Sequence, residues 1–284
     1  MNYVSRYGLE FNPFIKNSKE IIYENNNYKE VKARLDYLLQ TKGIGLITGD
    51  PGCGKTTIVR NYTNNLNQNA YKIIYLPLST LTVLEAYKQL AIAFNIEPFH
   101  RKYENFAAIQ DAIRRLNIEK KIIPIIIFDE ANYLSSSFLN DIKILFNFEM
   151  DSRDLAVVLL VGQSVLNNAL NMKSNEALRQ RIITAYNIGN MSIEESCIYI
   201  KTKLSNAGSS SDIFTPQALR AIASFSSGNP RVISHVCDFA LMIANKLDKS
   251  NIDEEVANFA INEINIWWFY FIEGMQYCPL FISS

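Results

Sequence analysis

The octapeptide Gly49-Asp50-Pro51-Gly52-Cys53-Gly54-Lys55-Thr56 fits the pattern G-x-x-x-x-G-K-[ST]. Those residue types at that spacing suit the holding of a polyphosphate. The glycines let backbone N–H groups close around the oxygens, and a helix starting at the lysine adds its positive dipole end. In that geometry Lys55 reaches the β- and γ-phosphates and the Thr56 hydroxyl ligates Mg²⁺. Thr57, next in the chain, extends the nucleotide-contacting stretch. The chemistry implied is the binding of a nucleoside triphosphate.

A second motif supplies the acids. In Ile125-Ile126-Ile127-Phe128-Asp129-Glu130 an apolar run ends in two adjacent carboxylates. One acid can hold Mg²⁺ through its water shell, the role expected of Asp129. The next can orient and polarise an attacking water, the role expected of Glu130. Ligands of parallel α/β sheets bind at the C-terminal ends of the strands, where this pair stands.

Both motifs need a particular frame. The phosphate loop requires a strand before it and a helix after it. Ile44–Thr48 reads as the strand, and Thr57-Ile58-Val59-Arg60-Asn61-Tyr62 has helical apolar spacing. Further buried strands are read at Tyr71–Leu76, Ile122–Phe128 and Leu155–Val161, with a shorter one at Ala185–Ile188. Helical spacing lies between them at Thr82–Phe94 and Phe106–Leu116. Alternation of strand and helix predicts right-handed crossovers and a doubly wound, parallel α/β sheet. From about Met191 the strands stop. Ser192-Ile193-Glu194-Glu195 reads as a capping box before a helix at Cys197–Leu204. Further helix starts follow at Thr215-Pro216 and at Gly228-Asn229-Pro230, the latter opening Arg231–Leu247. The expected organisation is an α/β domain over 1–190, a small all-helical lid over 191–264, and an apolar tail over 265–284.

Composition narrows the class. The 284 residues are 48% hydrophobic and 20% charged, the profile of a folded globular chain. Lys+Arg and Asp+Glu balance at 28 each, so bulk charge advertises neither nucleic acid nor membrane. The four cysteines are scattered and the two histidines stand alone, which excludes a zinc or disulfide framework by spacing. His235, in an apolar helical pattern, reads as a packed side chain. The first residues lack the apolar core of a signal peptide, and a reduced cytoplasm fits.

Taken in order, the motifs resemble an AAA+ ATPase of the ExeA-like branch. The resemblance is carried by Gly49–Thr56, by Phe128-Asp129-Glu130-Ala131-Asn132, by the opening Tyr7-Gly8-Leu9-Glu10-Phe11-Asn12-Pro13-Phe14, by Val161-Gly162-Gln163, by Leu178-Arg179-Gln180-Arg181-Ile182 and by Gly228-Asn229-Pro230-Arg231. It extends over about residues 3–262. It implies a P-loop AAA+ sheet sandwich with a helical lid, hydrolysing ATP with Mg²⁺. It also implies roles by position. Gln163 matches sensor 1, which contacts the attacking water or γ-phosphate. Arg231 matches sensor 2, which touches the nucleotide. Arg179 and Arg181 stand where such proteins carry an arginine finger serving a neighbouring subunit, and either could be the one. The plain alternatives are a turn-stabilising amide for Gln163 and an exposed cation pair for the two arginines.

A finger acting in trans implies a homo-oligomer, ring or filament. The branch contains transposition helper ATPases, similar to TnsC, TniB, IstB and MuB, which bind double-stranded DNA and direct a transposase. It also contains envelope ATPases of secretion systems, which carry a transmembrane helix and a peptidoglycan-binding module after the ATPase. Seeing neither here, the resemblance points to the transposition helper, without membrane insertion. The secretion ATPase and a nucleotide-gated scaffold with little hydrolysis stand as alternatives. DNA contact would fall to local patches: His100-Arg101-Lys102 with Tyr103, and Lys120-Lys121. A solvated polar loop is the plain alternative for each. The tail Ile266-Trp267-Trp268-Phe269-Tyr270-Phe271-Ile272 is too short for a bilayer, which takes about twenty residues. It could dock on the lid, meet a partner, or be sequence beyond the usual family end.

Overall fold

The computed structural model describes residues 3–77, 81–149, 152–209 and 212–273. In chain order the elements are α1 (Tyr3–Arg6), α2 (Asn26–Thr41), β1 (Gly43–Gly49), α3 (Lys55–Asn64), β2 (Tyr71–Pro77), α4 (Val83–Ala93), α5 (Lys102–Arg114), β3 (Ile123–Asp129), α6 (Ser136–Leu145), β4 (Val157–Gly162), α7 (Val165–Asn171), α8 (Glu176–Arg179), β5 (Ile182–Ile188), α9 (Ile193–Asn206), α10 (Pro216–Phe225), α11 (Pro230–Lys246) and α12 (Glu254–Glu273). They divide into two units, Glu24–Gly189 and Met1–Tyr23 with Asn190–Ser284.

The first unit is built on one parallel sheet of order β2-β3-β4-β1-β5. Continuous apolar runs make the inner strands, because both of their faces are covered. Every residue of β1 and β4 is buried, and so is all of β3 after Ile123. Ile44, Leu46, Ile126, Phe128, Val158 and Leu160 share one core with Tyr87 and Leu90 of α4, Ile109 of α5 and Phe138 of α6. Phe138 meets both Tyr87 and Phe128 edge-on, at ring centroid distances of 5.6 and 5.9 Å. The opposite face meets α2 and α3: a Cβ on Gly45 would lie 2.6 Å from a Leu38 methyl, so glycine there lets α2 approach the sheet. Thr82 and Glu85 close a capping box at the start of α4.

The strands expected from apolar runs are all present, each within a few residues. Helices α1, α2, α6, α7 and α12 are additional to the sequence reading. Tyr28, Val31, Leu35 and Leu38 bury one stripe of α2 at the three- and four-residue spacing of an amphipathic helix, a signal the sequence reading passed over.

The second unit is helical. Ser192 and Glu195 form the expected capping box at α9, and Asn229 Oδ1 accepts the N–H groups of Arg231 and Val232 to cap α11. Two boundaries differ from the sequence reading. Residues 1–23 cluster with the helices and not with the α/β unit. Tyr7, Leu9 and Phe14 are buried in the helical core with Ile200, Leu219 and Ile233, while Asn12 donates to Asp238 Oδ1 and Tyr7 to the Lys249 carbonyl. These partners are remote in sequence, so no local pattern announces them. The lid boundary at 264 also falls inside α12, whose backbone continues unbroken to Glu273. The end of the tail, 274–284, lies outside the described residues, as do the side chains from 266 onward.

Gly228 joins the helical unit together. Its φ is 74°, and a Cβ there would lie 1.9 Å from the Met191 carbonyl oxygen. Gly228→Ala is therefore expected to destabilise the helical unit by more than about 1 kcal/mol, since the strain adds to a backbone clash. Urea unfolding of the variant beside the parent protein measures it.

Candidate functional site

The phosphate loop leaves β1 at its C-terminal end and enters α3 at Lys55. Gly52 and Gly54 take φ values of 84° and 97°, in the left-handed region that favours glycine. Gly54 is the N-cap of α3 and no side chain caps that helix, so its first N–H groups face the loop. A Cβ on Gly54 would meet no atom within 4 Å. At Gly49 the reverse holds: a Cβ would lie 2.8 Å from both Cys53 Sγ and the Ile188 carbonyl oxygen. The loop is thus packed tightly on its inner side and open where a phosphate would sit.

Lys55 is buried, and its ammonium donates to the carbonyl oxygens of Gly49 and Asp50, each at 3.0 Å. Cys53 is buried beside it, and burial pushes its thiol above the ordinary range, partly offset by Lys55. Thr48, under the loop, donates to Asn187 of β5 at 3.0 Å and accepts from Asn167 of α7 at 3.2 Å. Asp50 Oδ1 accepts from Ser164 at 3.4 Å. Pro51 and Thr57 complete the contiguous stretch the sequence singled out.

The two motifs meet at one contact. Thr56 Oγ1 donates to Asp129 Oδ2 at 2.9 Å, joining α3 to the end of β3. Tyr75 of β2 donates to the same oxygen at 2.7 Å, and the Glu130 N–H donates to Asp129 Oδ1 at 2.9 Å. Burial, and the hydrogen bond to Asp129, raise the Tyr75 phenol well above its usual range. Sequence reasoning passed over Tyr75. The signal was its place on a strand two residues short of a loop, which is common to many strand tyrosines.

Glu130 adopts φ 53°, ψ 39°, a left-handed conformation that costs a non-glycine residue about 1–3 kcal/mol. That turn swings the chain out of β3 into the short 3₁₀ segment Ala131–Tyr133. Its Oε2 is buried without a hydrogen-bond partner among the described residues. Asn132, two residues on, accepts the Gln163 N–H at 3.0 Å and so ties the end of β3 to the end of β4. A Cβ on Gly162 would lie 3.0 Å from that Asn132 oxygen, which accounts for the glycine.

The chemistry of this set is that of a hard divalent cation beside a polyphosphate. A threonine hydroxyl and a carboxylate in contact, both oxygen donors, could hold Mg²⁺. Glu130, the residue after Asp129, carries an unpartnered carboxylate oxygen that could take a proton from water.

The arginines have surroundings of their own. Arg181 Nη1 donates to the Lys143 carbonyl of α6 at 2.8 Å. Arg179, exposed at the end of α8, reaches Asn171 only at 3.4 Å. Arg231 belongs to the helical unit and is exposed in the first turn of α11. Of the proposed basic patches, Lys102 is held by Asp141 at 2.5 Å and Arg101 donates to Tyr103, while His100, Lys120 and Lys121 are exposed.

Comparison with known proteins gives relatives of most of the chain and of its parts. Residues 37–170 match the AAA domain family. Over that stretch, just under half of its length, the chain is similar to AAA domains. It is 31% identical over 250 residues to general secretion pathway protein A of Aeromonas hydrophila, covering 85% of this chain and 45% of that protein. It is 27% identical over 145 residues to the ATP-dependent target DNA activator B of Escherichia phage Mu, covering 51% of this chain and 43% of that protein. The chain thus spans less than half the length of either relative. In structure it is similar to the Aeropyrum pernix ORC2 protein, with a TM-score of 0.67 at 15% identity, covering 88% of this chain and 70% of that one. The resemblance read from the motifs, to the ExeA-like branch and to a MuB-type helper, is met on both sides. So is the parallel-sheet AAA+ fold. Among the described residues no helix is long and apolar enough to cross a membrane.

Asn132→Ala removes the acceptor that joins the ends of β3 and β4. A loss of about 0.5–1.5 kcal/mol in denaturant unfolding is expected, the usual net worth of one hydrogen bond, since this one is only partly buried.

Proposed function

We propose that this chain binds Mg²⁺·ATP and hydrolyses it to ADP and phosphate. The observation that carries the reading is the Thr56–Asp129 contact, which unites the phosphate loop with the acidic strand end beside an unpartnered Glu130 oxygen. In the proposed mechanism the loop N–H groups of residues 49–56 take the phosphate oxygens, and Lys55 turns from the Gly49 and Asp50 carbonyls to them. Thr56 and Asp129 hold Mg²⁺, which when bound neutralises charge on the β- and γ-phosphates. Glu130 accepts the proton of the water whose oxygen bonds to the γ-phosphorus as the bond to the β,γ-bridging oxygen breaks. Gln163, whose backbone is fixed by Asn132, contacts the water or γ-phosphate. Arg231, exposed in the first turn of α11, is the candidate for the sensor-2 role.

Arg179 is the proposed finger. Arg181 is anchored on the Lys143 carbonyl, whereas Arg179 is exposed at the end of a short helix. A finger in trans contributes about 10³–10⁵ in rate, so the lone subunit turns ATP over slowly and a homo-oligomer quickly.

The proposed role is a cytoplasmic helper that assembles on double-stranded DNA and directs a transposase. The likeness to the target DNA activator supports it, with the exposed His100, Lys120 and Lys121 as candidate phosphate contacts. The greater extent of the match to general secretion pathway protein A favours a second reading, an ATPase of a secretion assembly. DNA separates them. Turnover that rises with double-stranded DNA and falls with salt supports the helper, because phosphate contacts release counterions. Turnover indifferent to DNA sinks it and favours the secretion reading.

Glu130→Gln is expected to lower turnover about 10²–10⁴-fold while ATP still binds, as for loss of a general base. A nucleotide-gated scaffold would show equal, low turnover in both proteins. Arg179→Ala should be slow as well. Mixed with Glu130→Gln, it should regain activity, since one variant keeps the water-polarising acid and the other the finger. Absence of that rescue would remove Arg179 from the trans role.

A further inference from the structure

Asp129 is buried, and a carboxylate offers about four lone-pair directions. Three are used: Oδ2 accepts from Thr56 and Tyr75, and Oδ1 from the Glu130 N–H. Tyr75 comes from β2, a different element from the other two donors. In the β2–β3 register it stands opposite Ile127, two residues before Asp129, so its side chain lies on the same face of the sheet as the acid. The residue is 46% exposed and lines a cavity of about 220 Å³ that also meets Thr56, Ile73, Ile127 and Asp129. Packing alone therefore does not account for a tyrosine at this position; the hydroxyl has a specific partner.

We infer that Tyr75 is a positioning residue for the Mg²⁺ site, holding the Asp129 carboxylate in one rotation. This rests on the Mg²⁺·ATP reading. With Oδ2 tied to β2, the carboxylate cannot turn about its Cβ–Cγ bond. Oδ2 then remains the acceptor of the Thr56 proton, which leaves the lone pairs of Thr56 Oγ1 for the ion. Oδ1 keeps its fourth lone pair for a metal-bound water. Without the phenol, the carboxylate is held by α3 and one backbone N–H only, and the Thr56 hydroxyl is free to turn with it.

The test is binding of a fluorescent ATP analogue, first in EDTA and then across a Mg²⁺ titration. It uses the full chain, Tyr75→Phe and Ile73→Ala. The last trims the same cavity without touching Asp129. Tyr75→Phe is expected to raise the half-saturating Mg²⁺ concentration about three- to tenfold, the usual worth of one hydrogen bond, while binding in EDTA stays within about twofold. Ile73→Ala is expected to keep the parent's Mg²⁺ midpoint. An unchanged midpoint in Tyr75→Phe overturns the inference alone. So does a loss in EDTA equal to the loss in Mg²⁺, which would mark a merely structural residue. If the parent protein itself shows no Mg²⁺ dependence, the Mg²⁺·ATP reading fails and the inference with it.

Discussion

A buried carboxylate is the constraint around which the α/β unit is arranged. Removing an ionised acid from water costs several kcal/mol unless hydrogen bonds replace the lost hydration. Asp129 gets these from a helix, an edge strand and a backbone turn. The three donors are far apart in sequence, so their meeting requires the sheet, α3 and the turn at Glu130 to be in place together. The same requirement explains the left-handed backbone of Glu130. That conformation costs energy locally, yet it brings the N–H onto Asp129 and the side chain out of the strand.

Much of this was legible in the sequence because the physics is local. A buried parallel strand has to be apolar throughout, and the run Ile125–Phe128 is. A helix that starts on a glycine-rich loop needs left-handed residues, and Gly52 and Gly54 supply them. Capping boxes are read at a fixed spacing, which is why Ser192–Glu195 gave the start of α9. What stayed hidden depended on tertiary partners. Tyr75 looks like any strand aromatic until β3 lies beside it. The N-terminal Tyr7, Leu9 and Phe14 form no element longer than a turn and take their meaning only from helices some two hundred positions on.

The two arginines show the limit differently. Arg179 and Arg181 are two residues apart with similar flanks, and nothing in their order separates them. The backbone carbonyl of Lys143 does, by engaging only Arg181. On the proposal that one of them serves another subunit, the more weakly bonded Arg179 is the one left available. Weak local bonding is therefore a physical signature, and it is invisible in the residue type.

The strand order has a consequence for how the chain becomes competent. β1, which carries the phosphate loop, and β3, which carries Asp129, are not neighbours; β4 lies between them. During synthesis the loop and the acid are both made well before Val157–Gly162, yet they have no common framework until that strand inserts. Such non-local pairing is slow relative to helix formation. Until the fourth strand arrives the two halves of the site share no frame, and the edges of β1 and β3 that it pairs with are open. A ligand that binds only the closed sheet stabilises that sheet by mass action and lends nothing to the steps before closure.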